Sequence, residues 1–213
     1  TQEPAQDILS EKTGITRAGL RDESDAIRQL AQRWNLPLAE GDACDAIRAH
    51  NVLCHRSNGG IAELRQLDRP ALLKLYDQAN RPFYALIGSL SDTTARLRAG
   101  DARQDVSLVA LANHFRGEFI TLWRAPRDFD NAVQVGDRGP AVDWFAAHLA
   151  KLSSADAPAP GQPLSQKTLK QVRQFQQAHG LFVDGVIGPL TAMHINRAAG
   201  IDEPRLAERT QAE

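Results

Sequence analysis

Glycines divide the stretch from Gln134 to Asn196 into three helix-length segments, and this spacing constrains the fold more than any other feature of the chain. The first segment opens at Gly139-Pro140, where proline is tolerated because the first helical N–H has no intrahelical partner. Val142, Phe145, Leu149 and Leu152 then recur as one apolar stripe. An Ala/Pro/Ser-rich loop over Ser153–Pro163 follows. Ser165 is placed to cap a second helix whose Leu169, Val172 and Phe175 face inward until Gly180 stops it. Asp184-Gly185 reads as a tight turn, and Gly188-Pro189 opens a third helix that buries Leu190, Met193 and Ile195. These stripes specify an all-α, three-helix domain over residues 134–200, close to the lower size limit for independent folding.

The preceding region has another character. Residues 1–20 read as a flexible lead. A helix begins near Asp22 or Ser24, carries Ala26, Ile27, Leu30, Ala31 and Trp34 at helical spacing, and ends before Pro37. A second runs from Gly41 to about Ala49 with Asp42 as its cap. Val52–Cys54 reads as a short strand, Asn58-Gly59-Gly60 as a turn and Ala62–Leu67 as a short helix. From Pro70 onward the pattern favours strands: Ala71–Tyr76, Phe83–Leu90, Thr93–Leu97 and Gly117–Trp123. Gly100–Gln104 reads as a turn and Ser107–Phe115 as a short helix. Helices followed by hairpin-linked strands predict an α+β domain with an antiparallel sheet over residues 21–126. A Pro/Asp/Asn connector places the linker at 127–133, and 201–213 reads as a C-terminal tail.

Composition excludes several function classes. Of 213 residues, 42% are hydrophobic and 24% charged, and the formal net charge is −1. That balance gives no broad electrostatic footprint for nucleic acid or anionic membrane. No apolar run approaches the ~20 residues that span a bilayer, and the polar N-terminus lacks signal-peptide organisation. Because the first residue is Thr rather than Met, the expectation is a piece of a longer protein.

Cys44 and Cys54 do not fit a C-x-x-C redox or zinc pair. An oxidising compartment would allow them to pair; a reducing one would leave two small buried side chains. His50 and His55 lie nearby, but the spacing matches no standard zinc pattern, so neither a metal nor any other cofactor is expected. No pair of carboxylates stands out for hydrolysis.

Gly136-Asp137-Arg138-Gly139, Phe175-Gln176, Gly180-Leu181, Asp184-Gly185, Gly188 and Thr191 together resemble the small three-helix peptidoglycan-binding module of bacterial cell-wall proteins. The resemblance implies murein as ligand. Muropeptides offer hydroxyls, amides and carboxylates, which suit amide and guanidinium donors. The candidate contacts are Arg173, Gln177, Asp184, Gly185 and Thr191. Structural roles compete for most of them: Gly185 relieves backbone strain, Asp184 organises its own turn, and Thr191 supports the third helix.

A wider resemblance takes in Ala43-Cys44, Leu53-Cys54, Leu67-Asp68-Arg69-Pro70-Ala71 and Phe119–Pro126 together with Gly136–Gly139. These look like the periplasmic region of the general secretion pathway protein A family, over most of residues 20–196. The resemblance implies a papain-like first domain similar to bacteriocin-processing cysteine peptidases. Such enzymes place a cysteine at the start of the first helix, a histidine on a central strand and an aspartate on the next. Here Asp22 or its neighbours, Pro82 or Phe83, and Thr93–Arg98 stand at those places, so no catalytic residue is expected. The family further implies a Cys44–Cys54 disulfide and a periplasmic address on a single-span inner-membrane protein. Its implied partners are peptidoglycan, a second inner-membrane secretion protein and the outer-membrane secretin, with a homo-oligomer compatible. The competing reading is a cell-wall amidase or peptidase that uses the C-terminal module for targeting.

Overall fold

The computed structural model describes residues 14–206. By internal contacts the chain forms two compact units: the first runs to Trp123 and resumes at Glu203, and the second spans Arg124–Asp202.

The first unit is built on a six-stranded sheet of order β1-β6-β2-β3-β4-β5. The strands are β1 (Val52–Ser57), β2 (Ala71–Tyr76), β3 (Pro82–Leu90), β4 (Thr94–Ala99), β5 (Ala102–Ser107) and β6 (Phe115–Arg124). β2 pairs antiparallel with β3 and β6, and the β3–β4 and β4–β5 pairs are antiparallel too. β2 is central, and Leu72 on one face and Leu73 and Leu75 on the other are all buried.

Two helices cover one face. α2 (Glu23–Gln32) and α3 (Ala43–Arg48) start at aspartate caps: Asp22 accepts from the Asp25 N–H at 2.9 Å and Asp42 from the Asp45 N–H at 3.0 Å. Ile27, Leu30, Trp34 and Ile47 pack with Leu72, Leu86, Ile120 and Leu122 of the sheet. The Cys44–Cys54 disulfide, with Cα atoms 5.8 Å apart, ties α3 to β1 beside this core. α4 (Gly60–Leu67) ends on Asp68 in a left-handed conformation, φ 52°, and buries Leu64 and Leu67.

Several expectations change. Residues 1–13 of the proposed lead lie outside the described residues, but α1 (Gly14–Ala18) follows and buries Ile15. Leu20 then bridges Tyr84, its carbonyl accepting the Tyr84 N–H at 2.8 Å. The expected Gly100–Gln104 turn is only Gly100-Asp101; Ala102–Ser107 is an edge strand. Its ARQDVS sequence has no apolar alternation because an edge strand needs little burial, and only Val106 is fully covered. The helix expected over Ser107–Phe115 is α5 (Leu108–Ala112), capped by Ser107. Residues 201–206 do not form a free tail, since Glu203 and Leu206 are buried; residues 207–213 lie outside the described residues.

The second unit contains α6 (Pro140–Leu152), α7 (Gln166–Ala178) and α8 (Pro189–Ala198). Ser165 caps α7, accepting from the Thr168 N–H at 3.2 Å. Val142, Phe145, Leu149, Val172, Phe175, Met193 and Ile195 are buried, with Phe129 edge-on to Phe145 at 5.8 Å between ring centres. Leu152 is 40% exposed rather than part of the stripe, because α6 ends there. Val133 and Ile187 exchange backbone hydrogen bonds of 3.1 and 2.8 Å, closing the segment ahead of α6 onto the turn ahead of α8.

Candidate functional site

In the first unit, the expected place of a catalytic cysteine is held by Asp22 and Glu23. Asp22 is occupied as the α2 cap. Glu23, the first helical residue, turns its carboxylate toward β3. Its Oε2 accepts from the Tyr84 hydroxyl at 2.8 Å, and Oε1 accepts from Arg56 Nη2 at 2.6 Å. Phe83 is fully buried, and β4 contains no aspartate. A carboxylate therefore stands near the place the resemblance would give a thiol, and its partner is the phenol of Tyr84, next to the Pro82-Phe83 positions expected for the histidine.

Glu23, Arg56 and Tyr84 line a cleft of about 400 Å³ together with Lys74, Glu118, Phe119 and Ile120. Lys74 lies opposite Tyr84 in the β2–β3 register. It donates to Glu118 at 3.0 Å, and the Tyr76 hydroxyl donates to the other Glu118 oxygen at 2.7 Å. Burial pushes Glu23 upward, but the bonds from Arg56 and Tyr84 outweigh it and hold the carboxyl below its usual range. Tyr76 and Lys74 do the same for Glu118. The Glu118 hydrogen bond raises Lys74. Burial, with the Glu23 bond, pushes the Tyr84 phenol up to about 12. These shifts move all four groups away from neutral pH, whereas general acid–base catalysis is most efficient with a pKa near the operating pH. Both cysteines are in the disulfide, leaving no free thiol. Among the described residues no cluster of three or more His, Cys, Asp or Glu could hold a metal. The arrangement can bind through matched charge.

A half-buried titratable pair lies elsewhere in this unit. His55 Nε2 on β1 lies 3.6 Å from Glu63 Oε1 on α4. Burial holds the imidazole below its ordinary value, against the opposing pull of Glu63.

In the second unit the turn Leu181–Gly188 is organised by one side chain. Gln176 is 1% exposed. Its Nε2 lies 2.8 Å from Asp184 Oδ1, 3.0 Å from the Val186 carbonyl and 3.2 Å from Thr191 Oγ1. Its Oε1 accepts from the Gly185 N–H at 2.9 Å, and Asp184 Oδ1 also accepts from the Val186 N–H at 2.8 Å. Gly185 has φ +80°, and a Cβ there would lie 2.4 Å from Leu169 Cδ1 and 3.0 Å from Arg173 Nε. The left-handed conformation favours glycine here, and a Cβ would in addition displace the ends of the Leu169 and Arg173 side chains.

Of the candidate contacts, Arg173, Gln177 and Asp184 are exposed, whereas Gly185 and Thr191 are buried within this network. Arg173 is brought against the Asp184-Gly185 turn; Gln177 sits on the last turn of α7. Gln176 belongs to the Phe175-Gln176 motif, and nothing in the local pattern assigns it a role. Its one signal was adjacency to the core Phe175, since the buried face of α7 also carries the polar Thr168. The cleft residues carried no such signal, being drawn from α2, β1, β2, β3 and β6.

Residues 138–195 match the family described as "Putative peptidoglycan binding domain". The Gln176-centred turn lies inside that match. "General secretion pathway protein A" of Aeromonas hydrophila is 27% identical over 212 residues, covering 96% of this chain and 38% of the relative. "Putative general secretion pathway protein A" of Escherichia coli (strain K12) is 23% identical over 192 residues, covering 87% of this chain and 38% of its own length. The chain is homologous to general secretion pathway protein A. It spans about 38% of the length of these curated relatives.

Among solved structures, the periplasmic domain of the EpsAB fusion protein of the Vibrio vulnificus type II secretion system aligns with a TM-score of 0.56 at 20% identity. It covers 89% of this chain and 82% of its own. The likeness is one of fold: an α+β domain with an antiparallel sheet, followed by a three-helix domain. The peptidase C39-like domain of a Vibrio parahaemolyticus toxin secretion ATP-binding protein aligns over 58% of this chain and 99% of its own at 15% identity, with a TM-score of 0.32.

Proposed function

We propose that this chain is the peptidoglycan-binding periplasmic portion of a type II secretion assembly factor and that it performs no catalysis itself. The observation that carries the reading is the peptidoglycan-binding family match over residues 138–195, in a chain homologous to general secretion pathway protein A along 96% of its length. By this reading the second unit holds the sacculus, and the anchored protein helps the outer-membrane secretin assemble across the wall. A second inner-membrane protein of the pathway is its partner, and the remainder of the protein supplies a single membrane span. No helix among the described residues is long and apolar enough for that role.

The murein surface is assigned to Arg173, Gln177 and Asp184, with Gly185 and Thr191 acting through the turn they stabilise. The absence of catalysis is supported by the cysteines: both are held in the disulfide, so no thiol is available as the nucleophile that peptidase chemistry of this kind uses. Incubating the purified chain with sacculi tests both halves. Sedimentation of the protein without release of soluble muropeptides is expected. Release of muropeptides would establish the amidase or peptidase reading instead.

A further inference from the structure

Phe182 is 84% exposed and its neighbour Val183 47% exposed, in a unit that buries Phe129, Phe145 and Phe175 and half-buries Trp144 against Phe145. A single exposed apolar residue is ordinary. What distinguishes Phe182 is that its backbone is fixed from both sides. The Leu181 N–H donates to the Gln176 carbonyl at 2.9 Å, and the Phe182 carbonyl accepts from the Asp184 N–H at 3.1 Å. Asp184 and Gly185 are in turn held by the buried Gln176 side chain. A loose loop could fold its aromatic onto nearby apolar surface; this one is held out in water at the cost of exposed area. The exposed Arg173 guanidinium lies against the same turn.

We infer that Phe182 is a stacking platform for the sugar rings of the murein glycan strand, with Arg173 at its polar edge. The inference rests on the murein-binding reading above and selects the glycan over the stem peptide. β-linked pyranose rings with equatorial substituents present flat faces of C–H bonds. Such a face carries slight positive charge and packs on the electron-rich face of an aromatic ring. Amide and carboxyl substituents at the ring edge suit a guanidinium donor. A stem peptide offers no comparable flat apolar face. Presenting the ring preorganised avoids an ordering cost on binding.

The test uses the full chain, unmodified and as Phe182→Ser and Phe182→Trp, in co-sedimentation with sacculi. Two soluble competitors are added in turn: glycan strands stripped of stem peptides, and free stem peptides. Because Phe182 is exposed, thermal melts of the three proteins should coincide. Phe182→Ser is expected to weaken sacculus binding roughly tenfold, the scale of one lost stacking contact. Phe182→Trp should retain it, and stripped glycan but not stem peptide should compete. Unchanged binding by Phe182→Ser, or competition by stem peptide alone, overturns the glycan platform while leaving murein binding intact. Failure of the unmodified chain to sediment removes the murein reading and this inference with it.

Discussion

The Arg69 guanidinium and the Glu203 carboxylate meet at 2.5 Å with both side chains completely buried, joining the residues just before β2 to the segment that follows the second unit. The Leu206 N–H reinforces the closure by donating to the Asp68 carbonyl at 3.3 Å. The first unit is therefore completed by sequence that lies beyond the second. Removing one member of a buried ion pair strands the other charge away from water, which costs far more than the intact pair contributes.

Glu203→Ala, or truncation after Asp202, should therefore destabilise the first unit by about 3–5 kcal/mol. Combining Arg69→Met with Glu203→Leu should recover most of that loss, because a packed apolar pair carries no desolvation penalty. Urea unfolding followed by tryptophan fluorescence measures it. A loss below about 1 kcal/mol for Glu203→Ala would mean that the C-terminal segment is not part of this fold.

The Cys44–Cys54 bridge closes a short loop between α3 and β1. Replacing both cysteines by serine should cost roughly 3 kcal/mol, mainly by freeing the unfolded chain. Mass measurement after thiol labelling checks the bond itself: protein prepared under oxidising conditions should take up no label until reduced.

Burial depresses the His55 imidazole below its usual 6.5. The unfolded chain then binds the proton more readily than the folded one, so stability is complete above about pH 6.5 and is lost as pH falls through the folded-state value. Denaturation at pH 7.5 and pH 5 should show this loss in the first unit. His55→Gln should flatten the dependence, and an unchanged slope would assign it to other groups.

Gln176→Ala leaves the buried Gly185 N–H and Thr191 hydroxyl without their partner, an expected cost of about 2–3 kcal/mol. It should also weaken sacculus binding by loosening the turn. Gly185→Ala should do both more severely, because its Cβ would strike Leu169 in a left-handed backbone conformation. Melting curves and co-sedimentation separate the two effects.

The helices of the second unit were legible because Gly-Pro or a capping serine marks each start and an apolar stripe follows. Asp42 and Ser165 cap as expected, α2 begins beside Asp22, and the β2 boundaries coincide with the apolar run Ala71–Tyr76. β5 escaped because its pairing with β4 supplies what its own sequence lacks, and Arg96–Asp105 is a cross-strand pair visible only once the register is known. The buried Arg69–Glu203 pair spans more than half of the chain, beyond the reach of any local pattern. The turn glycines marked where the second unit bends. They did not reveal that Gln176 holds the turn, because an amide on an amphipathic helix looks like any surface residue until its burial is seen.

Co-sedimentation of the full chain with purified sacculi, with soluble muropeptides quantified in the same supernatant, tests the central claim most directly. The account predicts protein in the pellet and no muropeptide above the protein-free control. Protein left in the supernatant, or muropeptides accumulating with time, would contradict it.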